Sequence, residues 1–477
     1  IKSYSKISND QKIKAAIKFQ FRQLDTFIHP NYKKFAENKH IKRFIDTKLS
    51  IEEYKILFNE IKKNKLLTCC TPFDEESVEI IQDMNFDIVK IASCSAKDWP
   101  LIEKVSSLGK PIVFSTGGLL IKDIDNLVSF FDHRGNDFCI MHCVSIYPTP
   151  KNQLNLNLIQ TLKQRYNNKI IGWSTHEDPN NYEIIKLAYS KGARVFEKHI
   201  GLENKDYKNN KYSIDLEQFT EWIKSYKDVV ESNGNKLKDQ ISKDEKEGID
   251  SLLRGVYAKH KISKNSTITK SDVFFAMPLN KGQLSSGEFK NNIKVIKLVE
   301  ENTPIFTEDL KKHPERESII IKESIHEIKA MLNNARIYLD TSFDIEYSHH
   351  YGIRNFRKTG AVIINCINRK YCKKLIIMLP NQQHPAHFHR RKEETFQVLD
   401  GSLDVFLDGK HKFLKAGETC LIQPGVWHAF SSKKGCIFEE ISTTHFDDDS
   451  FYKDKRISEM KREDRKTLVE NWGRFEF

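Results

Sequence analysis

Two stretches of the sequence carry side chains whose types and spacing could do chemistry. In HPAHFHRRKEETFQVLDG (384–401), His387 and His389 stand two residues apart, so a strand would turn both imidazoles to one face. Glu394 follows on the next strand-like run, and His428 comes directly after the Pro-Gly turn of GETCLIQPGVWH (417–428). Three imidazoles and one carboxylate are ligands for a divalent ion that keeps exchangeable positions. Upstream, a series of apolar runs ends each time in polar groups. These are Lys18 and Gln20, Thr71, Lys90 and Ser93, Ser115 and Thr116, His142 and Tyr147, Ser174 and His176, then Glu197 and His199. A lone buried His or Lys is usually a satisfied core residue. Repetition at the same end of successive runs is different, because each unpaired buried charge would cost several kcal/mol. Lys18 with Gln20, Ser174 with His176, and Glu197 with His199 each share one strand face, and one polar mouth is expected where they meet.

The elements that must position these groups follow from the patterning. Apolar runs at 14–22, 66–73, 87–94, 110–117, 138–144, 169–176 and 193–201 alternate with helix-like stretches at 50–63, 74–84, 98–108, 121–132, 155–166 and 179–191. Such alternation predicts a parallel sheet covered on both faces. It fits an α/β class (β/α)8 TIM barrel better than an open sheet, with the site at the C-terminal ends of the strands. The series is one strand short, and the first strand is expected upstream of Ile1. A last helix is expected over 215–232, followed by a polar, flexible stretch near 232–248. Residues 254–289 read as short strands and turns of a small β-rich unit closing near Leu310. Residues 312–334 read as a charged linker with a helix, 335–452 as a second β domain, and the charged tail as helical. The expected domains are 1–240, 245–311, 335–452 and a tail over 453–477.

Composition narrows the function classes. With 77 Lys and Arg against 65 Asp and Glu, the 477-residue chain carries a net charge of +12, spread along its length as a solvated surface. No basic face interleaved with aromatics stands out, so nucleic acid is not expected as a partner. No apolar run is long enough to cross a membrane. The nine cysteines form no CxxC pair and sit mostly in apolar runs, which predicts buried free thiols in a reducing cytoplasm.

KFQ (18–20), TPFD (71–74), KIAS (90–93), STG (115–117), HC–YPTP (142–150), STHE (174–177) and EKHIGL (197–202) resemble, in order and spacing, the sialic acid synthase family over about 300 residues. The unit after residue 245 resembles that family's antifreeze-like (SAF) β-clip domain. The resemblance implies a metal-dependent condensation of phosphoenolpyruvate with an aldose to a 3-deoxy-ulosonic acid, releasing phosphate. It implies His176 and His199 as ligands of Mn2+ or Mg2+, which would polarise the aldehyde. Lys18, Lys90, Thr71, Ser93 and Ser115 would bind the phosphate and carboxylate, with Ser145 or Tyr147 in the same shell. Gln20, Ser174, Asn210 and Arg254 are further substrate-binding positions, and Glu197 is the catalytic carboxylate. It also implies a homodimer, with Arg254 and the 276–283 loop reaching a partner subunit's site. The sugar half departs from the family: Asn209 and Asn210 precede Ser213 where an aspartate is usual, and Met277 precedes Pro278 where an arginine reads an N-acyl group. Both weaken selection for an N-acylated sugar.

The 384–428 segment has the spacing of the cupin family, which implies a small β-barrel holding Mn2+, Fe2+, Ni2+ or Zn2+ on His387, His389, Glu394 and His428. RKEET and FEEISTTH (438–445) resemble the D-lyxose isomerase-like subgroup, which implies sugar-isomerase activity with Lys392, Glu439 or Glu440 as base. His349, His350 and His445 take no role in that expectation. The expected protein is a bifunctional enzyme whose cupin supplies or checks the aldose. The alternatives are a synthase with a sugar-sensing cupin, or a catalytically silent carbohydrate-binding scaffold.

Overall fold

The computed structural model describes residues 1–33, 38–204, 208–234, 241–311, 317–339, 342–470 and 472. The expected flexible stretch at 232–248, the linker and the tail therefore lie partly outside the described residues. The chain divides into two compact units, Ile1–Gln240 and Ile241–Phe477.

The first unit holds a seven-stranded parallel sheet in sequence order: β1 (Ala16–Phe21), β2 (Leu67–Pro72), β3 (Ile88–Ile91), β4 (Ile112–Ser115), β5 (Phe138–Cys143), β6 (Ile170–Thr175) and β7 (Val195–Lys198). These are the seven apolar runs of the sequence. Period two decides which residues face where. Phe21, Cys70, Val89, Ile91, Ile112, Phe114, Ile140, Ile171 and Trp173 pack outward in one core against helices that include Ile51–Lys63, Glu75–Asp83 and Ile121–His133. The intervening positions, among them Lys18, Lys90, Ser174 and Glu197, point the other way. The sheet curls enough for Lys18 on β1 to meet Glu197 on β7, at 3.1 Å. The interior is tight: a Cβ on Gly172 would lie 2.2 Å from Met141 Sδ.

The second unit begins with a small β region. Its strands β8 (Gly255–Ala258) and β10 (Val273–Ala276) pair antiparallel, as do β9 (Thr267–Ile268) and β11 (Ile293–Lys294), around Val256, Ile262, Ile268, Val295 and Ile305. An eleven-stranded antiparallel sheet follows. Its strands are β12 (Ile345–Ser348), β13 (Ala361–Asn368), β14 (Tyr371–Met378), β15 (Gln382–Phe388), β16 (Glu394–Leu407), β17 (Lys410–Lys415), β18 (Thr419–Ile422), β19 (His428–Ser432), β20 (Cys436–Thr443), β21 (Phe451–Tyr452) and β22 (Lys466–Val469).

Two sequence expectations are corrected here. The helix of the expected linker, Glu317–Asn334, belongs to the β domain: Ile320, Ile321, Ile325, Ile328 and Leu332 join Tyr347, Phe356 and Ile377 in one core. Among the described residues the tail is helical over Lys455–Glu459 and Arg462–Arg465, and then pairs as β22 with β12. Beyond it Trp472 is buried in the same core. Trp472→Ala should therefore cost the second unit about 3–5 kcal/mol, as expected for a large buried aromatic. Urea unfolding followed by amide hydrogen exchange in β12 and β13 reads this directly, and a loss below about 1 kcal/mol would contradict the packing.

Candidate active site and metal centre

In the first unit the inward pairs converge on one carboxylate. Glu197 Oε1 lies 3.1 Å from Lys18 Nζ and accepts from Ser174 Oγ at 2.9 Å, while Oε2 lies 3.4 Å from Lys90 Nζ. Burial alone would raise the Glu197 pKa, but the two ammonium groups outweigh it and hold the carboxylate ionised. Two cations around one anion leave positive charge unspent. Among the described residues, Lys90 Nζ is buried without a hydrogen-bond partner, and so are the hydroxyls of Thr71 and Ser115. Unsatisfied groups of this kind are rare in native interiors, and a cluster of donors with surplus positive charge suits an anion.

The cradle continues at the strand ends. Ser93 Oγ accepts from the Gly117 amide at 3.0 Å. A Cβ on Gly117 would fall 2.2 Å from Ser145 Oγ and 2.7 Å from Ser93 Oγ, so only glycine leaves that space open. Gln20 is exposed at the rim and accepts from Arg22 at 2.8 Å. Above Glu197, the His176 and His199 rings stand 5.3 Å apart. Tyr147 packs on His176 at 4.3 Å, and Tyr212 on His199 at 5.0 Å. His176 Nδ1 lies 3.3 Å from the Val144 carbonyl, which leaves Nε2 as its free acceptor. Two imidazoles this close, each packed against a tyrosine ring, fit a divalent ion.

Three positions need separate comment. His142 is turned away, its Nε2 hydrogen-bonded to the Leu154 carbonyl at 2.9 Å among the outward core; Cys139, Met141 and Cys143 take the inward face of β5. Asn210 sits in the loop after β7, its carbonyl accepting from the Ser213 amide at 3.0 Å. Arg254, in the second unit, is exposed, with its carbonyl accepting from Ser286 at 2.9 Å. Tyr212 was not found by sequence reasoning, because a loop residue carries no periodic signal.

Burial holds the pKa values of both His176 and His199 down at about 4, against an ordinary 6.5. The unfolded chain therefore takes up protons first as pH falls below about 6.5, so stability is lost between about 6.5 and 4. In EDTA, the thermal midpoint of the first unit should fall across that window, and His176→Gln should flatten the slope. A flat profile in the wild type would contradict the buried neutral imidazoles.

In the second unit His387, His389 and His428 bring ligand nitrogens within 4.8 Å of one another, all buried. Each Nδ1 donates to a main-chain carbonyl: His387 to Pro385 at 3.0 Å, His389 to Asp449 at 2.5 Å, and His428 to Val426 at 3.1 Å. A carbonyl can only accept, so each Nδ1 carries a proton and each neutral ring turns a bare Nε2 inward, as in a metal ligand oriented from behind. Glu394 Oε2 lies 3.2 Å from His428 Nε2, and Oε1 3.4 Å from His389 Nε2. Glu394 Oε2 and His428 Nε2 make no hydrogen bond. Two bare acceptors that close repel each other unless a cation joins them, so this donor set fits a divalent metal.

The expected bases fare differently. Lys392 Nζ contacts Glu394 Oε1 and lies 2.8 Å from Glu440 Oε1. Burial opposes its charge, but the Glu440 and Glu394 carboxylates outweigh that and keep it protonated. Glu439 falls on the opposite face of β20 from Glu440 and pairs with Lys373 at 2.6 Å, away from the histidines. Its place in the expected site is corrected: period two allows one of two adjacent glutamates inside, and Glu440 is that one. His350, given no role from sequence, is fully buried and lies 2.9 Å, Nε2 to Nε2, from His384.

The comparisons with known proteins separate along the same division. The NeuB family model matches residues 9–238, and the cupin domain model matches 374–437. The uncharacterized protein MJ1065 of Methanocaldococcus jannaschii is 32% identical over 265 residues, 55% of this chain and 76% of that protein. The N,N'-diacetyllegionaminic acid synthase of Campylobacter jejuni is 27% identical over 236 residues, 49% of this chain and 70% of the relative. A crystal structure from Chromobacterium violaceum, provisionally described as spore coat polysaccharide biosynthesis protein E, aligns with a TM-score of 0.63 at 40% identity. It covers 65% of this chain and 93% of its own.

Proposed function

The chain belongs to the NeuB family, and from that premise we propose that its first unit condenses phosphoenolpyruvate with an aldose, releasing phosphate and a 3-deoxy-ulosonic acid. The observation that carries this reading is the meeting of Lys18, Lys90 and Ser174 on Glu197 beneath His176 and His199. The unsatisfied Lys90, Thr71 and Ser115 groups, with Ser93 and Ser145 at the rim, would receive the phosphate and carboxylate of phosphoenolpyruvate. His176 and His199 would hold Mn2+ or Mg2+, which when bound supplies Lewis-acid polarisation of the aldehyde oxygen. Glu197 would stabilise the positive character that C2 of the enolpyruvate gains as its C3 bonds to the aldehyde carbon. The aldehyde oxygen takes up a proton, water adds at C2 and gives one up, and the bond from C2 to the phosphate oxygen then breaks to release phosphate. Gln20, Tyr147 and Asn210 would line the sugar.

In this reading the seven-stranded sheet of the first unit is of the (β/α)8 barrel type, the β8–β11 region is a SAF domain that completes a partner subunit's site in a homodimer through Arg254, and the cupin includes the 317–334 helix and the tail strand. The free cysteines suit a reducing compartment. The cupin holds a divalent metal on its three histidines and Glu394 and binds a sugar there. Lys392 saturated by two carboxylates, and Glu439 turned outward, favour a sugar-sensing cupin over an isomerase.

Full-length protein with Mn2+, phosphoenolpyruvate and a panel of mannose, N-acetylmannosamine and pentoses should release phosphate with at least one aldose. Absence of release across that panel and the 6-phosphates of its two hexoses would sink the synthase reading. Retention of C2 deuterium exchange in the wild type, lost in His387→Ala, would restore the isomerase reading.

A further inference from the structure

Within the second unit, a cluster of buried polar side chains adjoins the three histidines without belonging to them. Between His384 and His387 the pairing of β15 with β19 shifts register. That irregularity turns His384 inward although it stands three residues from His387, where strict alternation would put it on the other face. His384 stacks on Phe430 at 4.5 Å and meets His350 at 2.9 Å, Nε2 to Nε2. His350 takes a left-handed backbone, φ +49°, which is costly and found at sites where structure over-determines a residue. The Nδ1 atoms of both rings are buried without a hydrogen-bond partner. A neutral pair sharing one Nε2 proton must offer one Nδ1–H donor and one bare Nδ1 acceptor.

Tyr452 links this pair to the metal cluster and to a cation. Its ring stacks on His387 at 5.3 Å and stands 5.0 Å from His350. On the same ring, Arg465 places its guanidinium carbon 4.9 Å from the centroid. Arg465 Nε and Nη1 are buried without a hydrogen-bond partner among the described residues. The neighbouring cations differ in being spoken for: Lys392 contacts Glu394 and Glu440, and Lys466 pairs with Glu346 at 2.6 Å. An arginine cannot shed its proton, so buried N–H groups without acceptors are expensive to keep unless a ligand supplies them.

We infer that Arg465, Tyr452, His350 and His384 form an anion-reading subsite, so that the cupin takes an oxyanion-bearing sugar, with its charged group on Arg465 and its hydroxyls toward His350, His384 and the three-histidine cluster. This rests on the reading of the cupin as a metal-dependent sugar site and adds the charge of the ligand to it. The oxyanion is either the phosphate of a sugar phosphate or the carboxylate of a sugar acid, and planar guanidinium suits both.

Isothermal titration of Mn2+-loaded full-length protein with D-mannose 6-phosphate, N-acetylneuraminate and D-mannose tests it. One of the charged sugars should bind at least about tenfold tighter than mannose, and that preference should vanish in Arg465→Gln and partly return in Arg465→Lys. Both variants keep the first unit unchanged, so any binding there cancels in the comparison. Tighter phosphate binding identifies a sugar phosphate, and tighter carboxylate binding a sugar acid. Equal binding of charged and neutral sugars, or a preference that survives Arg465→Gln, overturns the inference. A preference that depends on Arg465 yet persists in EDTA upholds the subsite and sinks the metal-centred reading alone. Should Arg465→Gln fold poorly, His384→Gln is the second variant, with the same loss of preference expected.

Discussion

Lys90→Met lowers phosphate release from phosphoenolpyruvate by about 10²–10³-fold while leaving the first unit folded. The split follows from what Lys90 does in the fold. Its side chain is almost fully buried, and among the described residues its Nζ makes no hydrogen bond and its ion-pair partner, Glu197, is shared with Lys18. Burial, and the nearby Lys18 charge, push its pKa down, although Glu197 pulls the other way. A charge held on such terms contributes little to stability, and an apolar chain of similar length in its place is commonly neutral or stabilising. An incoming anion, in contrast, loses a donor and a full charge in a site screened from water. Phosphate release under saturating aldose, measured beside the urea midpoint, separates the two effects. Release within about fivefold of wild type would remove Lys90 from the anion site, and a collapse of the midpoint would make its role structural.

The same physics explains what was legible in the sequence. All seven strands of the first unit were readable because continuous apolar runs between amphipathic helices have few other folded solutions. Lys18 with Gln20, Ser174 with His176, and Glu197 with His199 were readable because strand alternation is rigid. His142 shows the limit: the polar residue nearest the strand end was read inward, but its neighbours Cys139, Met141 and Cys143 hold that face. Glu439 was misplaced in the same way, one position out of phase with Glu440. His384 was hidden by an irregularity that breaks alternation, and Tyr212 by a loop that has none. Trp472 and β22 were hidden for another reason. Their surroundings in sequence are charged, and the free edge of β12 makes a strand of Lys466–Val469. Tertiary demand overrode local pattern there.

His428→Ala should lower the affinity of the second unit for Mn2+ by about 100-fold or more, without touching the ion held in the first. Loss of an outer-shell partner typically costs 10–100-fold, so loss of a direct ligand sets at least that floor. The reason for choosing His428 is its pairing with Glu394. Their facing atoms, 3.2 Å apart, are both acceptors, because His428 Nδ1 is committed to the Val426 carbonyl. With the ring neutral and no cation bound that contact is repulsive, so at alkaline pH alanine there relieves the empty site while disabling the filled one. The apo variant should then be no less stable than the apo wild type, and Mn2+ should raise the thermal midpoint of the second unit only in the wild type. Metal counting by mass spectrometry gives a second handle. Wild type should carry two ions per chain, His428→Ala and His176→Ala one each, and the double variant none. Two ions retained in His428→Ala would show that the three histidines and Glu394 do not make a metal centre. Glu394→Gln cannot replace this experiment, because it also strips Lys392 of one of its two carboxylates and confounds metal loss with a stranded buried charge.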